Sequence, residues 1–112
     1  MSHAELGVGD VPVTIDGEQL VFRPTLHAVK ILSQQGGLAG MIQRCSVLDF
    51  DAILMVTIAG LGLTGNGSKD LPEKIYRTGL FRMSAACIKF INVLANGGRP
   101  PGEQKEDPLQ AS

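Results

Sequence analysis

Residues 59–70 read AGLGLTGNGSKD, and they hold the chain's densest pattern with chemical meaning. Gly60, Gly62 and Gly65 fit the dinucleotide pattern G-x-G-x-x-G, and residues 62–69, GLTGNGSK, lie one transposition from the phosphate loop G-x-x-x-x-G-K-[ST]. Such loops bind anions. A strand runs into the glycine turn, a helix opens directly after it, and backbone N–H groups converge on the phosphate. Here the preceding segment, DFDAILMVTIA, has the aspartate start, the Ala and Met content and the length of a helix. Ser68 and Lys69 stand in the reverse of the order a lysine on phosphate and a hydroxyl on magnesium require. The expectation is a helix C-terminus followed by a connector, with no bound nucleotide or other cofactor.

Other reactive side chains do not assemble into a catalytic constellation. Asp49 and Asp51 are paired carboxylates by sequence, but their place before an apolar run suits helix capping. His27 has no Ser, Cys or acidic partner at helical spacing. His3, His27, Cys45 and Cys87 show no ligand-pair spacing, so no metal site is expected, and the two cysteines read as buried free thiols. Met41, Met55 and Met83 read as core fillers. Lys74, Arg77, Arg82 and Lys89 read as a solvated helical edge, or as a contact rim for an acidic partner.

The elements that must position these residues follow from pattern and punctuation. Asp16-Gly17 is a two-residue hairpin turn. It sets Ile15 opposite Glu18, Val13 opposite Leu20 and Val11 opposite Phe22, which gathers the apolar residues on one face. Pro24 ends the second strand. Thr25 caps a first helix with Leu26, Val29, Ile31 and Leu32 inside, and Gly36-Gly37 stops it. A short, weaker helix, LAGMIQRCSV, carries Gly40 within it. Asp49 or Asp51 then caps AILMVTIAGLGL, apolar almost all round and therefore the central core helix. Asp70 and Glu73 predict a capping box for LPEKIYRT, with Pro72 in the first turn and Gly79 at the left-handed C-terminal position. The last helix, FRMSAACIKFINVLAN, places Met83, Cys87, Phe90, Ile91 and Leu94 at three- and four-residue steps. The fold class is α+β, mostly α: an N-terminal β-hairpin packed on a four- to five-helix bundle. Residues 1–10 are expected to be flexible, 11–97 form the single domain, and 98–112 form a disordered tail rich in Pro, Gly and charge.

Composition narrows the functional classes. With 112 residues and 44% hydrophobic content, one domain with a real core is expected. Only 4% of the residues are aromatic and the net charge is −1, so neither a base-stacking surface nor a basic stripe for nucleic acid is available. The longest apolar run, residues 52–63, is too short for a membrane span of about 20 residues. The first ten residues lack the apolar stretch of a secretory signal, and a reducing cytoplasm is expected.

Taken in order, several stretches resemble the small tail-assembly chaperones of siphophages and gene transfer agents, sometimes labelled as tail tube proteins. VTIDGEQLVFRPTLHAVKIL resembles the family's opening D-G hairpin and Arg-x-Thr lead-in to a helix. DFDAILMVTIAGLGLTGNG resembles its apolar, glycine-closed middle, and LPEKIYRTGLFRMSAACIKFINVLANG its ending. The resemblance covers residues 11–96. It implies a non-enzymatic assembly factor in the bacterial host cytoplasm, absent from the mature virion. Such a factor binds the long helical tape measure protein, with the tail tube protein as a second partner, and tends to self-associate. The family supplies no catalytic residues. The matching positions, Asp16, Gly17, Arg23, Thr25, Gly65 and Gly79, are structural. Tyr76, Phe81 and Arg82 are the candidate partner-binding anchors, because aromatics and arginine dominate interface energetics. Two alternatives stand beside this reading: a structural tube or connector subunit, and a phage-encoded inhibitor on the same fold, acting on a host protein or on a rival phage's tail assembly.

Overall fold

The computed structural model describes residues 6–103, a two-stranded antiparallel hairpin followed by five α-helices. The first strand, β1, is Val11–Ile15 and the second, β2, is Glu18–Phe22. Asp16 and Gly17 both take positive φ, 51° and 84°, as the two-residue turn requires. The register is the one the alternation dictates: Val11 pairs with Phe22, Val13 with Leu20 and Ile15 with Glu18. Val11, Val13, Ile15 and Phe22 are buried, and Leu20 is half-buried. Pro12 pairs with Val21, at a position whose backbone faces away from the partner strand, so its missing N–H removes no ladder bond.

The helices are α1 Leu26–Ser33, α2 Gly37–Ser46, α3 Phe50–Leu61, α4 Leu71–Thr78 and α5 Leu80–Ala95. Thr25 caps α1, its Oγ1 accepting from the Ala28 N–H at 3.0 Å. Asp49 caps α3, accepting from the Ala52 N–H at 3.2 Å while Arg44 Nε donates to its other oxygen at 2.9 Å. The helix α3 packs against β2 and every other α-helix, as expected of the central element. Phe22 from the hairpin and Phe90 from α5 meet beside it with ring centroids 5.3 Å apart. Among the described residues, no single helix is long and apolar enough to cross a membrane.

Local reading and structure part at several places. Leu26 is 70% exposed rather than inside. It sits two residues before buried Ala28, on nearly the opposite side of the helix, and the buried stripe runs Ala28 to Leu32. Asp70 makes no capping hydrogen bond. Its φ of −94° and ψ of 1° lie outside the extended region in which a cap side chain reaches the next N–H groups. Glu73 pairs instead with Arg77 at 3.3 Å. Gly79 has φ 106° and ψ 126°, a positive φ but not the left-handed helical cap. Residues 7–10 form a turn: the Gly7 N–H donates to Asp10 Oδ2 at 2.7 Å, and Arg23 Nη1 donates to the same oxygen at 2.7 Å. The tail's last residues, 104–112, lie outside the described residues, as do residues 1–5; Pro101–Glu103 forms a 3-10 turn.

Gly60 departs furthest from expectation. Expected only as part of a helix C-terminus, it is buried inside α3, and a Cβ there would lie 2.8 Å from the Phe22 ring. Its carbonyl accepts from the Arg23 N–H at 2.9 Å. Helix termination falls to Gly62, which is left-handed at φ 69°. The Leu63 N–H returns to the Ile58 carbonyl and the Gly62 N–H to Ala59, the paired bonds of a Schellman motif. Gly60 and Gly40 therefore predict opposite outcomes. Gly60→Ala should destabilise the fold by about 1–3 kcal/mol through overpacking against Phe22. Gly40→Ala, where a Cβ meets nothing within 4 Å inside α2, should stabilise it by about 0.5–1 kcal/mol. Urea unfolding of the two variants beside the parent checks both signs.

Candidate interaction surface

The helices α4 and α5 meet at Gly79, bent by 106°. Gly79 serves both of them: its N–H closes α4 on the Ile75 carbonyl at 3.0 Å, and its carbonyl accepts from the Met83 N–H at 3.0 Å to open α5. A residue with a Cβ is strained at this φ, so glycine is what lets the chain turn the corner without a linker. Each helix then buries one side. In α4 that side is Leu71 and Ile75. In α5 it is led by Met83, Cys87, Phe90, Ile91 and Leu94. Tyr76 and Phe81, on either side of Gly79, are left facing out, at 73% and 80% exposure, and Arg82 is exposed beside Phe81.

The hairpin turn anchors this corner. Arg77 Nη2 donates to Asp16 Oδ2 at 2.9 Å. The Thr78 hydroxyl accepts from the Asp16 N–H at 2.6 Å and donates to the Lys74 carbonyl at 2.8 Å. Lys74 lies 3.9 Å from Glu18. The Arg77 hydrogen bond, together with its charge and that of Lys74, holds the Asp16 carboxyl below the ordinary aspartate range despite partial desolvation. The Arg44 hydrogen bond, with the backbone N–H of Ala52, does the same for Asp49.

The structural positions of the sequence reading fall at two ends of the hairpin. Asp16 and Gly17 make the turn beside α4, one residue from the Gly79 corner through Thr78. Arg23 and Thr25 sit at the other end, where Arg23 joins Asp10 and Gly60 and Thr25 opens α1. Gly65 opens a 3-10 turn, Gly65–Ser68, after α3. The glycine pattern thus spans a helix interior, a helix cap and a 3-10 turn, and the segment leading into it is a helix rather than a strand.

His27 is exposed on α1. Met41 and Met83 are buried, and Met55 is half-buried. Cys45 and Cys87 are buried free thiols on α2 and α5. Cys87 Sγ lies 3.7 Å from both the Thr57 hydroxyl and the Ile53 carbonyl. The neighbouring Cys45 and burial push the Cys87 thiol up, and the same neighbour draws Cys45 down. Sequence reasoning did not foresee that the two thiols are neighbours in the core, because nothing local links residues so far apart. It also did not separate the four cations of the α4–α5 edge. Lys74 and Arg77 are engaged by Glu18, Asp16 and Glu73, whereas Arg82 and Lys89 form no ion pair among the described residues.

No protein family, curated protein or solved structure matches the chain.

The depressed carboxyls fix a pH dependence. As pH falls, the unfolded chain takes up protons at the ordinary aspartate value of about 3.9, while folded Asp16 and Asp49 stay ionised to lower pH. Their stabilisation is therefore complete above that value and is lost as pH falls through the folded values. Urea midpoints should drop steeply from about pH 5 to about pH 2 in the parent, and less steeply in Asp16→Asn/Asp49→Asn. Parallel slopes in the two proteins would assign the acid sensitivity to other carboxyls.

Proposed function

We propose that the chain is a non-enzymatic phage tail-assembly chaperone. It binds the tape measure protein in the bacterial host cytoplasm, keeps it soluble, and helps recruit tail tube subunits around it. The observation that carries this reading is the placement of Tyr76 and Phe81. In a chain with one Tyr and four Phe, two of the five rings stand out in solvent on either side of one rigid corner. Burying a ring of this size contributes roughly 2–3 kcal/mol, and the fold takes almost none of that from these two. A partner can take it. Arg82 adds a charged neighbour of the type enriched at interface hot spots.

The order of stretches that resembles the chaperone family supports the same reading. The tube-subunit alternative is disfavoured because the described residues hold a single two-stranded sheet, and a tube wall built by sheet closure needs more strands than one hairpin offers.

Co-expression with a tape measure protein tests the proposal. The parent chain should keep the tape measure protein soluble and co-purify with it. Tyr76→Ala/Phe81→Ala should reduce co-purification at least about tenfold, as loss of hot-spot rings does. Its own stability should stay within about 0.5 kcal/mol of the parent, because both side chains are on the surface. An insoluble tape measure protein with no complex recovered from the parent chain rejects the reading.

A further inference from the structure

Beside the aromatic corner, α5 carries a face that the fold leaves without a partner. Arg82, Ala85, Ala86 and Lys89 stand at i, i+3, i+4 and i+7, one side of the helix. With Pro12 and Thr14 of β1 they line a groove of about 330 Å³ between α5 and the strand. The two alanines give the groove a shallow apolar centre onto which another backbone can approach closely. A cation closes each end, and the two lie about 10.5 Å apart along the helix axis at 1.5 Å per residue. Neither cation is paired among the described residues, although their neighbours Lys74 and Arg77 are.

The groove also discriminates between strand and helix as occupant. A peptide adding to the free edge of β1 would need the outward N–H groups of residues 12, 14 and 16. Pro12 has none, and that of Asp16 is already given to the Thr78 hydroxyl at 2.6 Å. Only Thr14 remains, so the edge is blunted against strand addition. A helix needs no edge donors, and small residues at its contact line favour close packing at about 8–10 Å between axes.

We infer that the β1–α5 groove seats an acidic amphipathic helix, small apolar residues against Ala85 and Ala86, carboxylates about two turns apart meeting Arg82 and Lys89. This deepens the chaperone reading by giving the chemistry of the bound segment, and it rests on that reading for the biological partner.

The test uses the full chain and a fluorescent helical peptide of about 20 residues, long enough for stable turns. The peptide has Ala and Leu on one face and Glu at positions seven apart. A second peptide carries Lys in place of Glu, and a labelled single-stranded DNA of similar length provides a third probe. The parent chain should prefer the Glu peptide over the Lys peptide by at least about tenfold, the effect expected of two rim pairs turned from attraction to repulsion. Arg82→Glu/Lys89→Glu should reverse that preference, which loss of structure alone does not do. The single variants Arg82→Gln and Lys89→Gln should each reduce it about threefold, and they decide the matter if the double variant fails to fold. Equal binding of the two peptides by the parent, an unreversed preference, or binding of the DNA in place of both peptides overturns the inference.

Co-expression with the tape measure protein separates this outcome from the fate of the chaperone reading. If Arg82→Glu/Lys89→Glu still solubilises the tape measure protein as the parent does, the groove assignment fails and the chaperone reading stands. If the parent itself does not, the chaperone reading fails and the peptide preference still decides the groove.

Discussion

The fold depends on one close approach, that of the Phe22 ring to the bare Cα of Gly60. A two-stranded hairpin is marginal in water on its own, so β1 and β2 persist only because their apolar face is seated on helices. The seat is α3, and the absence of a side chain at Gly60 lets Phe22 press into it and reach Phe90 of α5. The Arg23 N–H then joins the Gly60 carbonyl, so the strand end is fixed to the helix by backbone as well as by packing. Strand register, helix position and the aromatic pair are set together at this point.

From there the constraint passes along the hairpin to its turn. The register that buries Phe22 also places Asp16 over the end of α4, where Arg77 and Thr78 receive it. That contact holds α4 against the sheet on one side of Gly79, while the core face of α5 holds the other. With both arms fixed, a φ that only glycine tolerates becomes a rigid corner. The exposed rings of Tyr76 and Phe81 are thus presented on fixed supports, and a preorganised surface loses less entropy when it binds than a mobile one.

Much of the hairpin was legible because two independent signals, the turn dipeptide and the alternation, demand the same register. The caps at Thr25 and Asp49 were legible because capping is local and both residues take the extended backbone it needs. Asp70 shows the limit of that reading: the same residue type at the same spacing fails when its backbone sits elsewhere. The packing role of Gly60 was not legible because a glycine's reason can lie outside its own helix, in a ring brought by a strand far away in sequence. At the candidate surface, the outward position of Tyr76 follows from its place next to buried Ile75 on a two-turn helix. Which cations are left unpaired did not follow. Arg77 is neutralised by a carboxylate 61 residues away, and no local pattern reports that.

The glycine-rich stretch shows how a motif can arise from unrelated requirements. Gly60 removes a side chain so that Phe22 can pack, and Gly62 supplies a left-handed residue so that α3 can close its last carbonyls. A phosphate cradle asks for neither; it needs free N–H groups aimed at one point at the start of a helix. Here the N–H groups of Gly62, Leu63 and Gly67 are spent on Ala59, Ile58 and Thr64. Glycine spacing that serves packing and capping spends these three donors within the fold. The same bookkeeping applied to the α4–α5 edge gives the opposite result, because two of its four cations are spent within the fold and two are left to face outward.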